Sequence, residues 1–525
     1  MEGLQPIFIL LFAAVLLVGI AQKMHIPYPI ALVVGGAIIS FFPGLSTVTF
    51  NPEIILLIVL PPILYYAAFG TAFKEFQKNW QEIFSLALGL VICTTVVMAL
   101  LFKWMFPDYS WALAFAFGAI ISPPDAVAAT TILKRFAINS RLISILEGES
   151  LVNDASALVL YKLAVIALFY GSFSLSEGVV QFIQIVAGGI GVGAIIGLIV
   201  HTFSNKYLEP VLGVVLSFTI PYVTYIIASV LNVSGVLAVV VNGLIGSRML
   251  LKHHSSLRRV LGYATWDIFT ILLNCFVFIL IGLQLRSIVS MMTIYQMATY
   301  FGYAVIITIA TIAIRMLWAY AMAGISCAKG LYTTRTKALN SKCMREAALI
   351  GWSGMRGIVS LAVAIALPFT LSNGEPLAGR NEVIFITFSV ILLSLLIPGL
   401  TLPYIIQKLK IRSMTEAIDE NKIRKHLVEL AQEKLNQFLH SKTIDSKEFE
   451  FLNNYFISHH QALAISHKED NKKQNLEETR LKVIQAQRKE LIALWEKREI
   501  DDNLLTHLEN ELDLVEVHIA RGILK

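Results

Sequence analysis

The chain has 525 residues, 56% of them hydrophobic and only 15% charged, with a mean hydropathy of +0.70 and a formal net charge of +6. These values do not suit a water-soluble domain and point to a bilayer-embedded one. The excess positive charge lies before residue 408, so it bears on membrane topology and gives no reason to expect a nucleic-acid partner.

Hydrophobic stretches of about 20 residues are the unit that spans a bilayer. Thirteen such stretches run roughly over 6–22, 27–42, 52–71, 82–104, 111–133, 143–171, 178–203, 209–227, 229–247, 264–286, 296–327, 345–371 and 380–407. The first lacks a basic start and is followed at once by a second apolar run, so it reads as a retained helix rather than a cleaved leader. The expected fold is therefore an all-α polytopic membrane protein with about 13 transmembrane helices over residues 1–407. Residues 408–525 hold 41 of the 78 charged residues and read as a cytoplasmic charged helical tail. Alternate loops carry sixteen Lys and Arg, from Lys23 to Arg345, against three on the other side, Lys103, Arg286 and Arg380. That asymmetry puts the tail inside the cell and the N-terminus outside. In the tail, Leu476, Val483, Leu491 and Leu494 follow helical spacing, as expected of a solvated bundle or self-association surface, with regulation the sharper alternative.

Two stretches carry carboxylates where a membrane helix should carry none. The first is Ser122-Pro123-Pro124-Asp125, where two prolines remove backbone donors and predict a broken helix beside an acid. The second is Glu147-Gly148-Glu149-Ser150-Leu151-Val152-Asn153-Asp154. Carboxylates at bilayer depth are costly and mark ion or proton pathways, and broken backbone there must face protein or a wet cavity. On a helix Ser150 and Asp154 share one row and Glu149 and Asn153 the next. The first row offers a carboxylate and a hydroxyl to a hard cation such as sodium, together with Asp125 and the carbonyls freed around Ser122–Pro124. Glu149 reads instead as a member of a buried structural pair. Lys162 reads as a snorkelling side chain.

Later spans add basic groups. Arg315 lies in an apolar run and needs a buried acidic partner. Arg356 sits in Gly351-Trp352-Ser353-Gly354-Met355-Arg356-Gly357, a second candidate broken helix that answers the first. Two interrupted segments in separate halves are the sequence sign of inverted repeats around a midplane site. Asp267 and Asn274 read as hydrogen-bonding structural groups, and His253 and His254 as surface residues of a basic loop. Cys93, Cys275, Cys327 and Cys343 have no metal or disulfide spacing. No nucleophile or metallo-hydrolase motif points to an enzyme, and no cofactor is expected.

Several of these runs resemble the sodium/proton exchangers of the cation–proton antiporter superfamily. They are Pro124-Asp125-Ala126-Val127-Ala128-Ala129, Leu146 to Ala155, Val233 to Val240, Asn274 to Leu283, and Gly354-Met355-Arg356-Gly357-Ile358-Val359-Ser360-Leu361. The resemblance implies that Asp154 binds either cation or proton, beside Asn153, with Ser150 and Asp125 completing the sodium site. It implies that Glu149 pairs with Arg315 and that Arg356 serves the second broken helix, with Asn274, Pro123 and Pro124 in support. It further implies inverted repeats with two broken crossing helices, a homodimer, and elevator-like alternating access. Because Asn153 cannot titrate, exchange is expected to be electroneutral. A cation channel or ion-gated sensor is the rival reading. Two departures stand out: Leu60-Pro61-Pro62-Ile63-Leu64 continues into Tyr65-Tyr66 where relatives carry Phe-Glu, and Asp267 follows Trp266 where glutamate is commoner.

Overall fold

Apolar residues fill each long stretch so completely that the backbone must satisfy its own hydrogen bonds, which the α-helix does. The computed structural model describes residues 5–24, 27–41, 52–71, 73–134, 136, 138–170, 175–253, 256–290, 292–328, 337–371, 374–409, 420–441, 445–454, 484–489 and 512. Among these the regular elements are helices, apart from isolated bridges between Asp125 and Met355 and between Thr370 and Pro376.

The chain opens with α1 (Gln5–Lys23), α2 (Tyr28–Ile39), α3 (Pro52–Gly70) and the short α4 (Phe73–Lys78). A continuous helical stretch follows, formed by α5 (Trp80–Phe84), a π-helical segment Ser85–Leu90, and α6 (Val91–Met105). Next come α7 (Trp111–Ile121), α8 (Ala126–Leu133) and α9 (Ser140–Tyr170). Long helices α10 (Leu175–Tyr207), α11 (Pro210–Val230), α12 (Gly235–His253), α13 (Ser256–Val289) and α14 (Ile294–Ala328) lead to α15 (Lys337–Trp352), α16 (Ile358–Ile365) and α17 (Arg380–Leu409). Among the described residues, seven helical stretches are long and apolar enough to cross a membrane, and five apolar helices are shorter. Large apolar side chains such as Ile195, Ile199, Phe203, Ile309 and Leu317 point outward, the arrangement a lipid-facing surface requires.

The chain divides into two compact units, Met1–Ser413 and Met414–Lys525. Since α17 runs to Leu409, the end of the last apolar segment and the first residues of the charged region share one helix. The second unit contains α18 (Glu420–His440), which buries Leu435 and exposes Leu430 and Phe438. Leu476, Val483, Leu491 and Leu494 lie outside the described residues, as does His254, and the side chain of His253 is likewise undescribed.

Within the first unit, α2, α3 and α10–α13 pack mainly on one another, and α6, α7, α9, α14, α15 and α17 form a second group. The α2–α13 crossing is close because both helices place glycine at the contact. A methyl group on Gly36 would strike the Ile279 carbonyl, and one on Gly282 would strike the Val33 carbonyl. Only glycine permits such backbone approach. The helix α13 thereby packs closely against α2 and forms one wall of the cavity described next.

Candidate functional site

Both broken helices form where the residues demand it. The helix α7 starts at Ser110, whose Oγ accepts a hydrogen bond from Leu113 N at 3.2 Å, and ends before Pro123 and Pro124. Asp125 then adopts extended backbone (φ −95°, ψ 123°) and caps α8, its Oδ1 accepting from Val127 N at 2.8 Å. In the second segment, α15 ends at Trp352 and α16 begins after Gly357. The two breaks meet: Asp125 N donates to the Met355 carbonyl at 2.6 Å. Gly357 is the N-cap of α16, and a methyl there would collide with the Asp125 carboxylate. Glycine therefore lets one acid approach the N-terminal ends of both α8 and α16, where positive dipole ends favour an anion.

Arg356 complements this at the opposite polarity. It is 2% exposed, donating from Nε to the Ile121 carbonyl at 3.2 Å and from a terminal guanidinium nitrogen to the Gly354 carbonyl at 2.8 Å. Its backbone N–H donates to Ser394 Oγ at 3.0 Å. The guanidinium thus lies at the C-terminal ends of α7 and α15, where orphan carbonyls and negative dipole ends accumulate.

The helix α9 crosses beside this junction and sorts its polar residues by row. Glu149, 1% exposed, receives a bidentate pair from Arg315, one bond at 2.7 Å to Oε2 and a shorter one to Oε1. Arg315 also donates from Nε to the Ile350 carbonyl at 3.0 Å, tying α9 and α14 to the end of α15. Asn153 is fully buried and donates to the Pro124 carbonyl at 2.8 Å, supplying the first break with a donor. On the neighbouring row Ser150 Oγ accepts from Ala126 N at 3.4 Å. Asp154 is 8% exposed, and among the described residues no hydrogen bond or ion pair reaches its carboxylate.

A cavity of about 480 Å³ opens beside this row. Pro123, Asp125, Ser150, Asp154, Asn274 and Ser360 line its deeper part, and Tyr66, Asp267, Lys134 and Glu147 line it as well. Lys134 and Glu147 form an ion pair at 2.9 Å, and the Tyr66 hydroxyl donates a short hydrogen bond to Asp267 Oδ1. The Pro124 carbonyl is taken by Asn153, and Pro124, Glu149, Asn153, Arg315 and Arg356 are not on the cavity wall. Around Asp154 the wall therefore presents one buried carboxylate, the half-buried Asp125 carboxylate and a serine hydroxyl, oxygens suited to a small hard cation. No group of three or more His, Cys, Asp or Glu is arranged to hold a metal among the described residues. Lys162 is exposed on α9.

Sequence reasoning missed some participants. Met355 acts through its carbonyl, which no side-chain pattern reports. Gly357 was noted as part of a motif, but its closeness to Asp125 depends on two segments far apart in the chain. Thr270 was legible in principle, because it sits three residues after Asp267 and four before Asn274 on the same helical face. The Tyr66–Asp267 bond reinterprets both sequence departures at once: with tyrosine at position 66, an acid on α13 supplies the carboxylate at that part of the wall.

A many-helix membrane protein with crossed broken helices and an uncommitted buried carboxylate is an ion-coupled transporter in architecture. Residues 8–408 match the family model described as "Sodium/hydrogen exchanger, transmembrane", and the chain belongs to that family. The uncharacterized Na(+)/H(+) exchanger YjcE of Escherichia coli K12 is 30% identical over 521 residues, which cover 94% of each chain. A sodium, potassium, lithium and rubidium/H(+) antiporter of Bacillus pumilus SAFR-032 is 32% identical over 397 residues, covering 73% of this chain and 58% of its own. The Na(+)/H(+) antiporter NhaH of Halobacillus aidingensis is 32% identical, covering 78% of this chain and 99% of its own. The sodium proton antiporter MjNhaP1 of Methanocaldococcus jannaschii shares the fold, with a TM-score of 0.61 at 18% identity over 78% of this chain and 99% of its own. The protein is thus an integral, multi-pass antiporter of the sodium/hydrogen exchanger family and not an enzyme, and the channel reading gains no support.

Proposed function

We propose that Asp154 is the exchange site, binding sodium or a proton in turn and carrying one of them across the membrane in each half-cycle. The observation that carries this reading is the contrast between its burial and its lack of any committed partner. A bare carboxylate at this depth is costly, so it must be neutralised by a cation or a proton before its surroundings can close over it. Ser150 and Asp125 add oxygens for sodium, Asn274 and Pro123 shape the wall, and Pro124 holds Asn153 through its carbonyl. Glu149 and Arg315 hold α9 in place, and Asn153 and Arg356 stabilise the broken helices. The thirteen hydrophobic stretches, residues 1–407, form the transport domain in inverted repeats. The helices around Asp154 move against the α2–α3–α13 wall by alternating access, and two copies of the chain form a homodimer. Lys134, largely exposed at the cavity wall, lies in a loop that the charge asymmetry assigns to the cytoplasm together with the tail of residues 408–525. The setting is the cell membrane.

Exchange is one sodium for one proton, because Asn153 cannot titrate and Asp125 is engaged with helix ends. Lithium and potassium enter as alternative cargo through the same oxygen set. The test is cation-driven proton movement in everted vesicles with sodium, lithium and potassium, followed by current on a solid-supported membrane at symmetric pH. Exchange without a current that scales with imposed potential is expected, and a scaling current would overturn the one-to-one stoichiometry.

A further inference from the structure

Three polar residues of α13 line the cavity on a single helical face: Asp267, Thr270 and Asn274, spaced by three and four positions. Their burial deepens in order, since Asp267 is exposed, Thr270 half-buried and Asn274 6% exposed. The two deeper members lack protein partners. Thr270 Oγ1 is buried without a hydrogen bond, and none reaches the Asn274 amide among the described residues. Buried polar groups ordinarily find partners, so two adjacent orphans on a cavity wall indicate that something in the cavity supplies them. The charge at the outer end is also unbalanced. Lys134 and Glu147 neutralise each other there, and Asp267 is met by a neutral phenol, Tyr66, which stacks on Trp266 with ring centroids 5.4 Å apart. A net negative group in a cleft with low-dielectric walls concentrates cations.

We propose that this face of α13 is a staging subsite for a hydrated monovalent cation. The cation is drawn to the Asp267 carboxylate, exchanges water for the Thr270 hydroxyl and the Asn274 amide oxygen as it descends, and passes to Asp154. Hard cations accept these oxygens in place of water. The wall that carries them packs closely on α2 through the glycine contacts, whereas Asp154 belongs to the other helix group. The subsite accordingly loads the exchange site without travelling with it. This inference rests on the reading of Asp154 as the exchange site, and its test is chosen to fail separately.

Full-length protein reconstituted in proteoliposomes is assayed for exchange over a sodium series at two ionic strengths. Asp267→Asn should raise the apparent KM for sodium roughly three- to tenfold at low ionic strength, the scale of electrostatic focusing, with maximal rate retained. The increase should shrink at high ionic strength, and Asp267→Glu should restore the low KM. Thr270→Val, nearly isosteric, should raise KM at both ionic strengths. Direct binding of radioactive sodium to Asp154→Asn protein should retain a weak component that Asp267→Asn removes. An unchanged KM in Asp267→Asn, or a lowered maximal rate with KM fixed, overturns the staging subsite. Continued exchange by Asp154→Asn overturns the Asp154 reading instead, whatever the Asp267 variants do.

Discussion

Glu149 and Asp154 are two buried carboxylates on the same helix, and the protein treats them in opposite ways. Glu149 has both oxygens engaged by the Arg315 guanidinium, whereas Asp154 lines a cavity and accepts no hydrogen bond among the described residues. Both are acids in an apolar stretch, so residue type and depth do not distinguish them. Commitment does. A carboxylate clamped by a planar guanidinium has its oxygens satisfied in one geometry. A carboxylate left bare must take its neutralising partner from the cavity, and that partner is free to change. The row on which each lies decides the matter: Glu149 turns toward α14, Asp154 toward the α13 wall.

The comparison is broken most directly at Asp154. Asp154→Asn keeps the shape and removes the charge, so exchange should vanish while expression, membrane insertion and thermal stability stay near those of the parent. Vesicle dequenching together with a fluorescence-detected melting profile measures both. Residual sodium-driven proton movement would mean that a second group does the work.

Next in size is the clamp. Glu149→Gln leaves Arg315 buried beside a neutral amide, and breaking a buried pair from one side costs roughly 3–5 kcal/mol. The yield of folded protein and its melting temperature should both drop, and exchanging Glu149 and Arg315 together should restore part of the loss. A Glu149→Gln protein that folds normally yet does not transport would place the two acids in one functional class.

The smaller effect comes from the junction between them and the helix ends. Gly357→Ala puts a methyl against the Asp125 carboxylate, which must then retreat from α8 or α16. Overpacking of this kind costs about 1–3 kcal/mol. Sodium affinity should weaken more than folding does, as read from the sodium dependence of exchange beside a melting profile. Equal loss of both would assign Asp125 to structure alone.

Much of this is legible in the sequence. Pro123-Pro124 announces a break because proline lacks the donor a helix needs, and the four-residue spacing of Ser150 and Asp154 announces a shared face. Arg315 in an apolar run requires an acid, but its identity came from a resemblance, since nothing local links position 315 to position 149. The contact of Asp125 with Met355 and Gly357 was hidden for the same reason: it joins two loops brought together by packing of the whole helix assembly. In the sequence Tyr66 stands only as a departure from Phe-Glu, because nothing local shows that Asp267 on α13 faces it.

The weakest perturbation of the contrast between committed and uncommitted acids is removal of the charged region after Ser413. That region holds many carboxylates, but they follow the last apolar stretch in the sequence, outside the segments apolar enough to cross a membrane. Every residue assigned to the pathway, from Tyr66 through Asp154 and Asp267 to Ser360, precedes Ser413. A protein ending at Ser413 should therefore retain sodium-driven proton exchange per inserted molecule. The changes should fall on abundance, dimer stability or the pH dependence of activation, which depend on surfaces and regulation rather than on the site. The measurement is vesicle dequenching normalised to membrane-inserted protein, with crosslinking to follow the proposed dimer. Full loss of exchange in a truncated protein that is inserted and melts like the parent would show that burial and commitment within the membrane unit are not enough to define the transport carboxylate.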